Sequence, residues 1–478
     1  MATHRNQTSI EGGLYDLVAR GVKDTYFIKD EKDSVNPFDW RYERYPACLP
    51  EVRLTNPLND CRFGQRCEWE FDLPGDVLME AQLVITLPTW LPPDLAANNL
   101  TSQTYVGSDT NRVYGYTNGI GYFLFERIQI FQDNLLLQEV SGDALYAASL
   151  TKGSWNQSFL TQQLAGIHDG SVTSIMRNAT PGTLEIPIPM IGCGWEGDKG
   201  LPLCGLRQTV FRLRCQLRPL EKLVEGSLGE VNPTPWLYKY NQNRDGNLYD
   251  LTNIQAIERS QIGQPIIQLR TKQLYLTNEV RHELAKETIE IPYIRYFENG
   301  FTFNSLDYAP FGRGTLLVSV TRVLDANYTV ERIVSYFRSS QALCKNQLWD
   351  FTNSLSPDGQ FYSSIQLTIA GQLREGPWGP LVWQNTVIDA KQERTSSKNI
   401  SIMDWSRGWR IEDVPPAIRE PSGGINFTTA DRPTFLIDLL NVPVNETFGY
   451  KQTEMTSLCE SWALYRIRNG KGGLEYAN

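Results

Sequence analysis

The stretch Cys67-Glu68-Trp69-Glu70-Phe71-Asp72-Leu73 decides the fold class. Its apolar residues fall on odd positions and its acids on even ones. Side chains of a strand alternate between two faces, so this pattern predicts a half-buried strand. The same period extends outward. Val77, Met79, Ala81, Leu83, Ile85 and Leu87 repeat it until Pro88 stops it. Phe211, Leu213, Cys215 and Leu217 face one way, with Arg212, Arg214, Gln216 and Arg218 on the other. The second half repeats it at Leu316-Val318-Val320, Ile365-Leu367-Ile369 and Phe435-Ile437-Leu439. Trp 12, Tyr 22 and Phe 19 suit strands and their cross-strand pairs. The reading is an all-β chain with many strands and Gly/Pro-rich connections.

Helices are few and short. Thr277 or Asn278 caps a helix through Lys286, with Val280 and Leu284 at i, i+4. Ser141 to Leu150 and Val330 to Phe337 read as two more short helices. Gly13 to Val22 places Leu14, Leu17 and Val18 on one face of a turn or two of helix in an N-terminal arm. Residues 90–118, 219–264 and 371–425 read as long polar connections. Long loops on a rigid β scaffold usually serve recognition. A faint internal echo links Arg207-Gln208-Thr209-Val210-Phe211-Arg212-Leu213 with Arg432-Pro433-Thr434-Phe435-Leu436-Ile437. Each lies late in its half, and each half has one predicted helix in its middle. This suggests two related β domains joined near residue 277.

Composition then removes function classes. The chain has 478 residues, enough for about two to three domains. Lys plus Arg is 45 against 54 Asp plus Glu, a net charge of −9, which disfavours general nucleic-acid binding by phosphate neutralisation. The opening MATHRNQTSIEGG lacks a signal-peptide apolar run, and no segment approaches the roughly 20 apolar residues of a membrane span. A soluble, cytosolically made chain is expected.

Three histidines leave little material for histidine chemistry: His4 in the arm, His168 in a loop-like AGIHDGS, His282 on the exposed side of a helix. No HxH or HExxH occurs. The eight cysteines, at 48, 61, 67, 193, 204, 215, 344 and 459, form no CxxC. Cys193, Cys204 and Cys215 are evenly spaced, with no histidine to complete a zinc set. They read as buried small hydrophobes, with a Cys61–Cys67 disulfide left open by spacing. Gly119-Ile120-Gly121 precedes a strand-like YFLFERIQIF, so it reads as a turn and not a dinucleotide fingerprint. Trp90, Trp155, Trp236, Trp378 and Trp383 lie in loop-like contexts and serve either as anchors or as a sugar-stacking platform. Eight NxS/T sequons, at Asn6, Asn99, Asn156, Asn178, Asn327, Asn399, Asn426 and Asn445, are not expected to carry standard secretory glycans. No catalytic, cofactor-binding or metal-binding residue emerges, and no cofactor.

The order of five motifs resembles the double jelly-roll major capsid proteins of nucleocytoplasmic large DNA viruses. Gly12-Gly13-Leu14-Tyr15-Asp16-Leu17-Val18-Ala19-Arg20-Gly21-Val22-Lys23-Asp24-Thr25-Tyr26 looks like that family's N-terminal arm. Asp76 to Pro88 looks like its early strand ending in Leu-Pro, and Leu201 through Leu217 like the late strands of the first roll. Gln273 to Ala285 looks like the strand-then-helix junction. Pro421-Ser422-Gly423-Gly424-Ile425-Asn426-Phe427, with Asn469 to Asn478, looks like the C-terminal signature. The region 371–425 matches loosely, and 219–264 is long.

The resemblance implies two tandem eight-stranded antiparallel jelly rolls with short helices and long loops. It divides the chain into an N-terminal arm (1–30), a first jelly roll (31–276), a connecting helix (277–287) and a second jelly roll (288–478). It implies a homotrimer with a pseudo-hexagonal outline, the capsomer of an icosahedral virion shell assembled in host cytoplasm. Expected partners are neighbouring capsomers, minor capsid proteins and the internal viral membrane, the last two through the arm, with no direct nucleic acid. The long loops would form the outward tower. Two other readings within the same frame are a minor capsid component and an assembly scaffold. Outside it stand a carbohydrate-binding jelly-roll module and a β-rich glycosidase.

Overall fold

A computed structural model describes residues 48–91, 104–107, 113–151, 164–193, 200–206, 209–237, 239–243, 254–255, 257–304, 318–354, 356, 358–384, 399–405, 423–440 and 452–475. The predicted arm helix, Trp155 and the histidine at position 4 lie outside these residues. The first half supplies eight main strands: β1 (Cys48–Thr55), β2 (Arg66–Glu70), β3 (Val77–Thr86), β4 (Phe125–Gln132), β5 (Leu135–Val140), β6 (Thr183–Pro187), β7 (Phe211–Leu217) and β8 (Ile266–Leu276). The second half supplies β9 (Ile289–Asn304), β10 (Val318–Val323), β11 (Thr329–Ser339), β12 (Tyr362–Ile369), β13 (Gln372–Trp378), β14 (Ser401–Asp404), β15 (Thr434–Leu439) and β16 (Gln452–Arg468).

The strand orders are the central result. The first half forms sheets β1-β8-β3-β6 and β2-β7-β4-β5, all antiparallel. The second half forms β9-β16-β11-β14 and β10-β15-β12-β13, also antiparallel. Each half therefore pairs its first, eighth, third and sixth strands, and its second, seventh, fourth and fifth. That is the two-sheet order of a jelly roll, present twice.

The alternating stretches became strands for the predicted reason. Cys67, Trp69 and Phe71 are buried while Glu68 and Glu70 are not. In β7 the odd residues Phe211 to Leu217 are buried and the even ones partly exposed. Arg214 and Glu68 form an ion pair at 3.4 Å on the outer face. Along β3 the expected phase breaks at one point. The β3–β8 register shifts between Lys272 and Gln273, which face Glu80 and Leu78 and skip Met79. This bulge buries Leu78 and leaves Met79 half-buried, and the phase from Ala81 onward is as read.

Of the short α-helices among the described residues, Ile120–Phe123 and Val172–Arg177 are single turns or little more, and the first of them shows that the strand expected from Tyr122 begins only at Phe125; three others bear on the sequence reading. α1 (Gly142–Thr151) and α2 (Asn278–Lys286) stand where the sequence put them. α3 (Ser340–Cys344) was not foreseen. The predicted helix Val330 to Phe337 is instead the middle of strand β11. Val330, Ile333, Val334 and Phe337 recur at i, i+3, i+4, i+7, which mimics a helical face. The true cause of the apolar run is burial on both sides. Val330, Ile333 and Phe337 join the second roll's core, while Val334 and Tyr336 join the core of the first. A strand covered on both faces loses its alternation. The expectation of one matched helix per half fails with it: α1 follows a fifth strand, α3 a third. The sequence echo holds, since both legs lead into seventh strands, β7 and β15.

Two polar connections are also corrected. Residues 371–425 contain β13 and β14. β13 reads as a loop because it is an exposed edge strand, with Gly376 and Pro377 in it. Within 219–264, Leu220, Leu223, Val224 and Glu225 are buried, and Val224–Gly226 pairs with Tyr114–Tyr116. Of the stretch 90–118, residues 92–103 and 108–112 lie outside the described residues.

Candidate functional site

With no catalytic constellation expected, the informative site is the seam between the rolls. The sheet β9-β16-β11-β14 is an inner wall of both. One face carries Tyr296, Tyr336 and Leu458 into one continuous core with the first roll, and Tyr293, Tyr465 and Ile467, toward one end of the sheet, join the same core. Its other side carries Phe303, Ile333, Phe337, Met455 and Cys459 into the second roll's core. Residues 48–478 accordingly form one compact unit.

Polar groups also tie the two rolls together across this seam. Asp143, near the start of α1, sits between two guanidiniums. Arg218, just past β7, lies 2.8 Å from its Oδ1, and Arg338 of β11 donates to its Oδ2 at 3.0 Å. Burial alone would raise the Asp143 pKa, but the attraction of Arg218 and Arg338 outweighs it and holds the carboxyl at about 2. Gly142 lets the start of α1 pack against the backbone of Tyr122 and Phe125: a Cβ there would stand 2.0 Å from the Tyr122 carbonyl oxygen. The Arg338 guanidinium also lies over the rings of Phe123, Tyr336 and Phe351, drawn from both rolls.

A second tie follows α3. The chain leaves that helix through Asn346 at φ 59°, with the 346 amide donating to Leu343 O and the 347 amide to Ala342 O. This is the left-handed helix-ending turn that tolerates Asn. It aims the Asn346 Nδ2 at the carbonyls of Glu221 and Val224, both at 2.8 Å. Thr117 donates to the Asn346 carbonyl at 2.9 Å, and Trp349 Nε1 donates to Glu225 Oε2 at 2.8 Å. Asn346→Ala puts a Cβ residue without local polar help into the left-handed region and strips two buried carbonyls of a donor. The expected cost is about 2–4 kcal/mol in denaturant melts. A change within about 0.5 kcal/mol would show that this tie contributes nothing.

A third tie joins the edges. Gln138 of β5 accepts from the Tyr296 amide of β9 at 3.2 Å, and the Ser141 amide and hydroxyl donate to Glu298 at 3.0 and 2.8 Å. Gln132 donates to the Gly472 carbonyl and accepts from Tyr465, both at 2.9 Å.

The residues singled out in the sequence are scattered across this frame. His282 is exposed on α2. The Nδ1 of His168 accepts from the Gly170 amide at 3.0 Å, and its Nε2 faces Glu225 at 3.6 Å. Among the described residues no three His, Cys, Asp or Glu are placed to hold a metal. All eight cysteines are free, so the Cys61–Cys67 bridge left open by spacing is not formed. Cys61, Cys67 and Cys215 are buried together, and contact with the Cys61 thiol, then burial, push the Cys67 thiol well up. Such thiols behave as hydrophobes. Trp90, Trp236 and Trp383 are buried anchors, while Trp378 is exposed, so the described tryptophans build no stacking platform. Asn178 of one sequon is buried and donates to the Tyr116 carbonyl. Among the described residues no helix is long and apolar enough to cross a membrane. The seam residues Asp143, Arg218 and Arg338 carried no local signal.

Comparison with known proteins places this architecture. No family model matches the chain, and no curated protein sequence matches it. Solved structures do. The chain is similar to the PBCV-1 virus capsid protein, at 13% identity and TM-score 0.65, covering 92% of this chain and 100% of that one. It is similar to the Faustovirus major capsid protein, at 12% identity and TM-score 0.59, covering 96% and 97%. It is also similar to a chain of the Sputnik virophage structure, at 10% identity and TM-score 0.56, covering 94% and 92%. The two repeated strand orders and these full-length superpositions lead to one statement: the fold of this chain is that of the double jelly-roll capsid proteins.

Proposed function

We propose that the chain is the major building block of an icosahedral virus shell and works as a homotrimer. The observation that carries this reading is the same eight-strand order occurring twice around one shared sheet. Three such chains present six similar rolls, so one threefold particle has a nearly hexagonal outline and tiles a shell through one kind of contact. Residues 1–30 act as the arm toward the shell interior, where minor capsid proteins and the internal membrane are its partners. Residues 31–276 and 288–478 are the two rolls, and 277–287 joins them. Chemistry is absent from the role: no catalytic, cofactor or metal residue is assigned. The chain resides in the virion and assembles in host cytoplasm.

Light scattering after gel filtration tests the reading. The expected species has a mass of about 163 kDa, three times the 54.4 kDa chain, and a pseudo-hexagonal outline by electron microscopy. A chain that stays monomeric at high concentration overturns it. Copy number in purified virions separates the shell tile from a minor component or a scaffold.

A further inference from the structure

We propose that Cys61 and Cys67 form a thiol–disulfide exchange site on the first roll, which takes a small charged disulfide of the glutathione class from solvent and closes into a bridge. This goes beyond the shell-tile reading and does not depend on it. Residues 56–65 connect β1 to β2. The chain leaves the β1–β8 ladder after Thr55, which pairs with Leu269. It then doubles back beside β2. The Leu58 amide donates to the Glu68 carbonyl at 2.7 Å, and Asn59 Nδ2 donates to the Arg66 carbonyl at 2.7 Å. The Gln65 amide donates to the Arg62 carbonyl at 3.0 Å, closing a turn whose third residue, Gly64, has φ 75°. This fold-back lays the Cys61 thiol against that of Cys67, within hydrogen-bond reach.

Three thiols cluster here, and their positions sort them. Cys67 and Cys215 are fully buried and stand directly opposite each other in the β2–β7 ladder. The Phe71 amide donates to the Phe211 carbonyl and the Leu217 amide to the Gln65 carbonyl. Hydrogen-bonded pairs recur every two residues, so Cys67 and Cys215 are such a pair, with Cα atoms about 5.5 Å apart. Their Cβ atoms then lie at the wide end of the cross-strand range, beyond the roughly 3.8 Å of a disulfide. Cys61 sits on a connection instead, so it closes on Cys67 without disturbing the ladder. Cys61 also has an outlet. It lines an open groove of about 410 Å³ with Asp60, Arg62, Gln264 and Gln268. Gln264 accepts from the Phe63 amide at 3.0 Å and Gln268 donates to Asn56 at 2.8 Å, which ties the two walls of the groove together. The side chains of Arg62 and Asp60 are more than half exposed. A glutathione-class disulfide carries carboxylates and ammonium groups, which these two side chains complement.

The Cys61 sulfur, as thiolate, attacks one sulfur of the incoming disulfide. A bond from Cys61 to one glutathione forms, and the other glutathione leaves as a thiolate and takes up the proton. The Cys67 sulfur then attacks the Cys61 sulfur. The Cys61–Cys67 bond forms, and the second glutathione leaves with the proton that Cys67 gave up. Two protein thiols lose two electrons in all, and the small disulfide gains them. The hydrogen bond with Cys61, then burial, push the Cys67 thiol well up, so the second step is the slower one and quickens as pH rises. In a reducing compartment both thiols persist. In an oxidising one the bridge pins the connection to β2, the edge strand of its sheet.

The test uses the full-length chain in a Cys48→Ser/Cys344→Ser background, which removes the exposed thiols. It is incubated with glutathione disulfide, and its cysteines are mapped by alkylation and peptide mass. The expected order is a glutathionyl group on Cys61, then a Cys61–Cys67 bridge, with Cys215 still reduced. Cys67→Ser is expected to stop at the Cys61 adduct, and Cys61→Ser to leave Cys67 unmodified. Arg62→Ala is expected to slow adduct formation about threefold with glutathione disulfide and not at all with the uncharged hydroxyethyl disulfide. A Cys61 that stays reduced in the folded chain overturns the site, as does a bridge between Cys67 and Cys215. Equal rates for Arg62→Ala and its parent overturn the glutathione class. Should a serine variant not fold by circular dichroism, the time course of the parent decides: a bridge with no earlier Cys61 adduct overturns the exchange.

Discussion

Replacing Glu460 with alanine is expected to destabilise the Cys48–Asn478 unit by about 3–5 kcal/mol, the usual cost of leaving one buried charge without its partner. Arg332 of β11 reaches Glu460 of β16 through Nε at 3.1 Å and Nη2 at 3.0 Å, and both side chains are almost wholly buried. The pair sits in the sheet that both rolls share. The register of β11 on β16 shifts between Val330 and Arg332, and the skipped Glu331 accepts from Trp462 Nε1 at 2.8 Å. The ion pair and this second bond therefore pin the bulge in place. A double replacement, Arg332→Met with Glu460→Leu, removes both charges and is expected to recover most of the loss. Denaturant melts of the three chains decide it. A single variant within about 1 kcal/mol of wild type would mean that water or a shifted side chain satisfies Arg332.

Asp143→Asn is expected to cost about 3–5 kcal/mol as well, because it leaves Arg218 and Arg338 facing each other without their shared anion. The change is nearly isosteric, so the loss reports charge and not volume. It also has a pH signature. The folded pKa of Asp143 is depressed to about 2, below the usual carboxylate value of about 3.9. Its contribution is therefore fully present above pH of about 4 and is lost as pH falls through about 2. Holding the carboxyl at about 2 instead of about 3.9 is worth about 2–3 kcal/mol at neutral pH. The stability gap between wild type and variant should narrow by about that amount between neutral pH and pH of about 2. A gap independent of pH would show that the Asp143 carboxylate is not what the two arginines need.

The alternation in Cys67–Leu73, Phe211–Leu217, Ile365–Ile369 and Phe435–Leu439 was legible because each strand has one covered face and one wet face. Local pattern records that difference directly. Helices α1 and α2 were legible for a similar reason, from local periodicity and a capping position. The seam was not legible. Asp143 and Arg338 stand 195 positions apart, and nothing in the neighbourhood of either announces the other. β11 was misread because tertiary packing buries both of its faces, and β13 because its edge position leaves little of it covered.

The sequence by itself determined the all-β class and the absence of histidine- and metal-based motifs, since these follow from residue type and period-two spacing, whereas the two related halves were only suggested by one short echo and were established by the repeated strand order. Only the tertiary structure decided which sheet is shared, which charges meet inside it and which apolar edges stay exposed. Those depend on contacts between distant segments, and a side chain's burial there is set by what the chain folds against it rather than by its neighbours in sequence.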